Sequence, residues 1–350
     1  MPDDRLVVTG AGMRTPVGTN APGTCGALRA GISRLAAWPH FGFAGEPLNV
    51  GAVAAGRKDA PWVEKAVPMV SPAIHEALWQ AGLYAYTWHR RRVGLFFSTP
   101  SPTRPGVLPE RLANFRAYVG DLWAELAGND LVHYVEQAHV GGALALAHAS
   151  LAVAKGDLDA AVVAGFESYL DSVYLDELLG DGRLLTADRS SGIIPGEAAA
   201  ALVLETAETA RRRQAPALAT IVALALEQEP TGWTPMRPSQ ADALARALQG
   251  ALAADPGPAA YHRIIVDHTG ERWRAREWAL VEPRALGSLP DGWDLWHPVE
   301  SIGDVAAAFV PLAVGWASQA FARRYAGPGG ILVGAMNDTG ERAIVALMPP

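Results

Sequence analysis

The chain has 350 residues, half of them apolar, and a formal net charge of -7, with no basic block larger than Arg90 to Arg92 or Arg211 to Arg213. That size and apolar content allow two packed lobes around a large core, and the mild acidity excludes the basic face a nucleic-acid partner would need. A single cysteine, Cys25, excludes an internal disulfide and a thiolate zinc cluster and points to the cytoplasm.

The start, Met1 to Asp4, lacks the basic residues and apolar run of a signal peptide. Leu6 to Thr9 reads as the first strand, and Gly10 with Gly12 as the turn after it. A dinucleotide fingerprint fails there, because Thr15 stands where the third glycine belongs and Pro16 follows. Cys25 falls in the first helix region and reads as a small buried residue. Ser71 as cap, Pro72 in the first turn and Gly82 at the end predict the next helix. Val93 to Phe97 is strand-like, and Thr99 to Pro109 is a loop rich in Pro and Gly.

The segment Gly141 to Lys155 is apolar nearly all the way round, which predicts a helix in the middle of the protein with His148 packed in its core. Strands follow at Ala160 to Ala164, Ala199 to Leu204 and Thr220 to Leu226. The loop Glu229 to Pro238 marks the boundary between two lobes, 1–228 and 229–350. Ser239 is placed to cap a helix with Asp242 in its first turn and Leu244, Leu248 and Leu252 at helical spacing. After a strand at Ile264 to Asp267, Ala306 to Phe321 reads as a buried helix; it holds Pro311 and Gln319 and is shorter than the roughly 20 residues of a membrane span. Strands at Ile331 to Val333 and Ala343 to Leu347 close the chain. The alternation predicts α/β layers, and the uniformly apolar strands predict a sheet covered on both faces.

Several stretches carry a resemblance. Leu6 to Gly18 followed by Leu28, Gly31 and Ile32, the segment Ala138 to Ser150 with Ala160 to Gly165, and the Asp188, Arg189, Gly196, Glu197 pattern running to Glu205 resemble the β-ketoacyl synthases. So do Val266 to Gly270 and Ser301 to Ala308. The resemblance implies a thiolase-like five-layer α-β-α-β-α fold with two similar lobes, usually a dimer. In that family a thiolate at a buried helix N-terminus attacks a thioester, and two histidines support decarboxylation. By resemblance those three roles fall on His139, His268 and Asp304, of which only His268 keeps its type. Val299 and Glu300 stand where the family has a lysine, so its positive charge is absent too, and Asn337 to Gly340 replace a Phe-Gly pair.

An imidazole cannot carry a stable acyl group, and a carboxylate at 304 would repel enolate-like charge. The chain therefore resembles a degenerate ketosynthase that works by binding, without a cofactor. The resemblance implies a homodimer, a heterodimer with a ketosynthase-like chain in the manner of a chain-length factor, an acyl carrier protein, or a secretion-system protein as partner. Two active alternatives stay open. One is a thioester-acting acyltransferase or hydrolase in which Asp304 orients His268; the other is a metal held by His139, His268 and Asp304. His40, His75 and His89 have no motif around them. Trp273, Trp278, Trp293 and Trp296, interleaved with Arg272, Arg274 and Arg276, form a candidate contact surface or remodelled pocket mouth.

Overall fold

A computed structural model describes residues 4–54, 60, 62–83, 91–233 and 237–350. His89, Arg90 and part of the 229–238 loop lie outside them. The first half contains β1 (Leu6–Arg14), α1 (Ala21–Arg29), β2 (Ala36–Phe41), β3 (Pro47–Val50), α2 (Trp62–Gln80), β4 (Val93–Ser98), α3 (Pro109–Ala127), β5 (Val132–Val135), α4 (Ala138–Ala154), β6 (Ala160–Ser168), α5 (Ser172–Gly180), β7 (Glu197–Thr206) and α6 (Ala207–Arg212). The second contains β8 (Ala219–Gln228), α7 (Asp242–Leu252), β9 (Tyr261–Val266), α8 (Arg272–Val281), β10 (Asp294–Trp296), α9 (Val299–Ile302), α10 (Ala306–Ala322), β11 (Gly330–Met336) and β12 (Glu341–Met348).

Ten of these strands form one sheet in the order β10-β9-β11-β12-β8-β1-β7-β6-β4-β5. Its halves repeat each other. β4 runs parallel to β5 and β6, and β7 antiparallel to β6 and β1. In the same way β9 runs parallel to β10 and β11, and β12 antiparallel to β11 and β8. The first strands of the two halves, β1 and β8, pair antiparallel and join them.

The helices α4 and α10 pack on each other and on strands of both halves, so they form the middle layer. Outside the first half, α2 and α3 cover β4, β6 and β7; outside the second, α7 and α8 cover β8, β9 and β12. β6 is buried along its whole length because helices cover both its faces, as its unbroken apolar run predicts.

Gly10 and Gly12 lie within β1, not in a turn after it. A side chain at either would collide with a backbone carbonyl of α2, Ala77 or Ala73, so the glycines serve close helix-on-strand packing. Ser71 does not cap α2, which begins at Trp62 and runs through Pro68 and Pro72. Ser239 forms a local turn by accepting from the Ala241 N–H at 2.9 Å, while the α7 N-terminus is capped from a distance: the Ala243 N–H donates to the buried Glu229 Oε1 at 2.8 Å. His148 is exposed rather than buried in the core. It sits on the open side of α4, with its Nδ1 3.0 Å from His133 Nε2 on the edge strand β5.

Candidate functional site

The N-terminus of α4 meets the ends of β9, β11 and the loop before α10, and four buried charged side chains converge there. His139, in the first turn of α4, is 5% exposed. Its backbone N–H donates to Asn337 Oδ1 at 3.1 Å, and Asn337 Nδ2 donates to the Gln137 carbonyl at 3.0 Å, so the residue after β11 fixes the helix end. The His139 Nε2 lies 3.0 and 3.1 Å from the two oxygens of Asp304. Asp304 is held in turn by the Ala306 N–H at 3.0 Å, and its own N–H donates to the Ile194 carbonyl at 2.7 Å. Gly196 allows this approach: a side chain there would press on the Ile302 and Asp304 carbonyls.

Arg274 completes the cluster from α8. It is fully buried and donates to Asp267 Oδ2 at 2.8 Å and to the Met336 carbonyl at 2.7 Å, with Asp338 Oδ1 3.4 Å away. The same guanidinium stands 3.4 Å from His139 Nε2. Asp267 also accepts from the Met336 N–H at 2.7 Å. Burial alone would lower the His139 pKa, but Asp304 outweighs it and raises the value above 6.5. Burial acts to raise the Asp304 pKa, yet His139 and Arg274 bring it below 3.8. Both shifts favour the charged forms of the pair, imidazolium and carboxylate.

The sequence-based assignment is corrected at one place. Asp267, not its neighbour His268, enters this cluster. His268 turns toward His297, with ring centroids 5.6 Å apart, and its buried Nε2 has no hydrogen-bond partner among the described residues. Burial, His297 and Arg274 push its pKa down to about 4, which leaves the ring neutral. The buried positive charge beside His139 comes from Arg274 on α8. Among the described residues no three His, Cys, Asp or Glu side chains are arranged to hold a metal, and Arg274 fills the position beside the imidazole.

His139 lines a cavity of about 530 Å³ whose walls include Arg104, Glu167, Tyr169, Tyr174, Arg183 and Asp338. Arg104 pairs with Glu167, whose second oxygen, Oε2, is buried without a partner. Burial raises the Glu167 pKa against the opposing effect of Arg104. Arg183 bridges Glu271 and Asp338, donating at 2.8 and 2.7 Å, and its guanidinium lies over Trp233. Burial acts to raise the Asp338 pKa, but Arg183 and Arg274 pull it down to about 2.

The other singled-out residues act elsewhere. Asp188 accepts from the Thr186 hydroxyl and Arg189 donates to the Gly182 carbonyl in an exposed turn. Glu197 is buried, accepting from Lys65 and Ser168 at 2.8 Å each. Cys25 is buried against Met13, and burial raises its thiol pKa, so it is no substitute nucleophile. Trp278 is buried in the core of the second half. Trp273 lies under the guanidinium groups of Arg274 and Arg342, Trp293 is half-buried against the second-half core, and Trp296 stacks on Trp316.

The sequence names Arg274 only as part of a contact surface or remodelled pocket mouth, not as a member of the buried cluster. The signal for burial is Glu271, Arg274 and Trp278 falling on one helical face.

No family model matches the chain. The curated tetracenomycin polyketide synthase ketoacyl synthase beta subunit of Streptomyces glaucescens is 28% identical over 248 residues, covering 60% of this chain and 60% of that one. The match thus spans less than two thirds of the relative's length. Among solved structures, the ishigamide ketosynthase/chain length factor superposes with a TM-score of 0.79 at 18% identity, covering 99% of each chain. The chain has the thiolase-like fold of the ketosynthases. A type II polyketide synthase ketosynthase solved with its acyl carrier protein, AntDE:AntF, gives a TM-score of 0.80 at 16% identity over 100% of both chains. The ketosynthase from module 6 of the bacillaene synthase of Bacillus subtilis 168 gives 0.78 at 14%, over 99% of this chain and 72% of that one. No helix among the described residues is long and apolar enough to cross a membrane.

Proposed function

We propose that this ketosynthase-fold chain is a non-condensing subunit that acts by binding, as the partner of a ketosynthase-like chain. One observation carries the reading. The side chain at the helix N-terminus, where the resemblance places the nucleophile, is His139, and its Nε2 is committed to both oxygens of Asp304. A protonated, paired imidazole is neither a nucleophile nor a base, and the chain's single cysteine is buried in α1. The thioester-acting alternative loses its base, because Asp304 is bonded to His139 rather than to His268.

The partner is argued from the relatives and from an open edge. The tetracenomycin relative is a polyketide synthase ketoacyl synthase beta subunit and the ishigamide structure is a ketosynthase/chain length factor, which favours a ketosynthase-like partner over a secretion-system one. Among the described residues β5 ends the sheet with one side unpaired, and beside it Leu131 and Leu151 are 46% and 56% exposed. An edge strand flanked by exposed leucines invites a second sheet. An acyl carrier protein is the further partner this reading brings, docking at the mouth of the His139 cavity.

The test is coexpression with the ketosynthase chains of the native host, followed by light scattering on the purified complex. A one-to-one complex, with no acyl adduct on this chain by intact mass after exposure to acyl carrier protein thioester, is the expected result. Turnover of acyl-CoA by this chain alone would sink the proposal.

A further inference from the structure

A second cavity, of about 560 Å³, lies away from His139 between the end of α1, β10 and the last turns of α10. Its wall is aromatic: Trp296 stacks on Trp316 with centroids 4.6 Å apart, and Tyr325 lies alongside at 6.1 Å. Trp316 is 4% exposed and its indole N–H faces the buried hydroxyl oxygen of Tyr325, whose own proton finds no acceptor among the described residues. A buried polar hydrogen without an acceptor is costly, so the Tyr325 O–H in the cavity wall points to an acceptor that comes from outside the chain.

The charges agree with that. Arg29 lies with its guanidinium 4.6 Å from the Tyr325 ring centre, and Arg324 follows α10; both are exposed, and neither pairs with a carboxylate among the described residues. Arg263, over Trp296 at 4.8 Å, is neutralised by Asp294 at 2.6 Å. Against the two unpaired guanidinium groups stands one lining carboxylate, the exposed Glu300. An arginine fork recognises carboxylate or phosphate oxygens, and a flat body suits a wall of rings.

We propose that this cavity binds an organic anion with a planar apolar body, an aryl carboxylate or aryl phosphate. The anionic group sits between Arg29 and Arg324, and an acceptor atom takes the Tyr325 O–H. The site is separate from the His139 cavity and stands or falls independently of the partner reading.

Isothermal titration of the intact protein with 2-naphthoate, 2-naphthyl phosphate and 2-naphthylmethanol tests it. Both anions, or one of them, should bind, with the alcohol roughly tenfold weaker or more, as loss of a charged hydrogen bond requires; which anion binds tighter assigns the group. The double variant Arg29→Gln/Arg324→Gln, altered only at exposed positions, should weaken the anions by a similar factor without changing the melting temperature. Tyr325→Phe, which keeps the ring and deletes the O–H, should weaken them several-fold. Equal affinity for the alcohol, anion binding unchanged in the double variant, or no heat with any probe at millimolar concentration would overturn the proposal.

Discussion

His139 and Asp304 hold each other in the ionised state, and that makes the pair a measurable element of stability. Asp304→Asn leaves a buried imidazole beside Arg274 with no countercharge, and breaking a buried pair from one side costs about 3–5 kcal/mol. The pH dependence follows from the two shifts. His139, raised, contributes fully below its ordinary 6.5, and the contribution fades as pH rises through the raised value; Asp304, lowered, contributes fully above its ordinary 3.8 and loses it as pH falls further. The gap between wild type and Asp304→Asn should therefore be largest between those two pH values and shrink at alkaline pH, read by urea unfolding across the range. His268 behaves oppositely. With its pKa pushed down to about 4, it stays neutral in the fold while the unfolded chain takes up a proton, so it removes stability as pH falls from 6.5 toward 4. His268→Gln should flatten that part of the profile. At this scale His139 and Asp304 were legible because each ends a recognisable apolar segment. Asp267 was hidden behind a histidine one residue away, since a strand end does not reveal which of two successive side chains turns inward.

Close approach between elements explains which glycines matter. A methyl at Gly165 in β6 would collide with the Ala307 carbonyl of α10, whereas one at Gly26 in the exposed face of α1 meets nothing within 4 Å. Gly165→Ala should thus destabilise by about 1–3 kcal/mol through overpacking, and Gly26→Ala should stabilise by about 0.5–1 kcal/mol through helix propensity; thermal unfolding of the two variants checks the opposite signs. The long apolar strands and the helices α4 and α10 were readable because burial on all sides leaves an unbroken apolar run. The edge strands β5 and β10 were not, being four and three residues long, and neither was the hairpin β2–β3, half exposed and interrupted by Pro39. The start of α2 was misplaced because Ser71 and Pro72 look like a cap; contact with β1, β6 and β7 holds the helix through both prolines despite the lost N–H groups. The open face of α4 was missed for a related reason. Alanine and leucine suit a covered surface whether the cover is the same chain or another, so Leu151→Glu should leave the melting temperature unchanged while dissociating any complex seen by light scattering.

In the whole molecule, Arg274 ties the outer layer of the second half to the middle layer. From α8 it reaches the end of β9 through Asp267, the end of β11 through the Met336 carbonyl and the first turn of α4 at His139. No other buried cation touches these three elements at the cavity end among the described residues. Its position could not be read from the sequence, because the two halves of the repeat bring residue 274 to residue 139 only once both halves of the sheet are formed. Arg274→Met removes the charge and keeps much of the volume, leaving Asp267 buried without a cation, so a loss of about 3–5 kcal/mol is expected at neutral pH. Arg274→Lys should recover only part of it, since a single ammonium cannot donate to Asp267 and Met336 while facing Asp338. Adding Asp267→Asn to Arg274→Met deletes the stranded charge and should be less destabilising than Arg274→Met alone. Urea midpoints of the three variants separate these outcomes. If Arg274→Met unfolds at the wild-type midpoint, the guanidinium is a filler of space and not the tie between the layers.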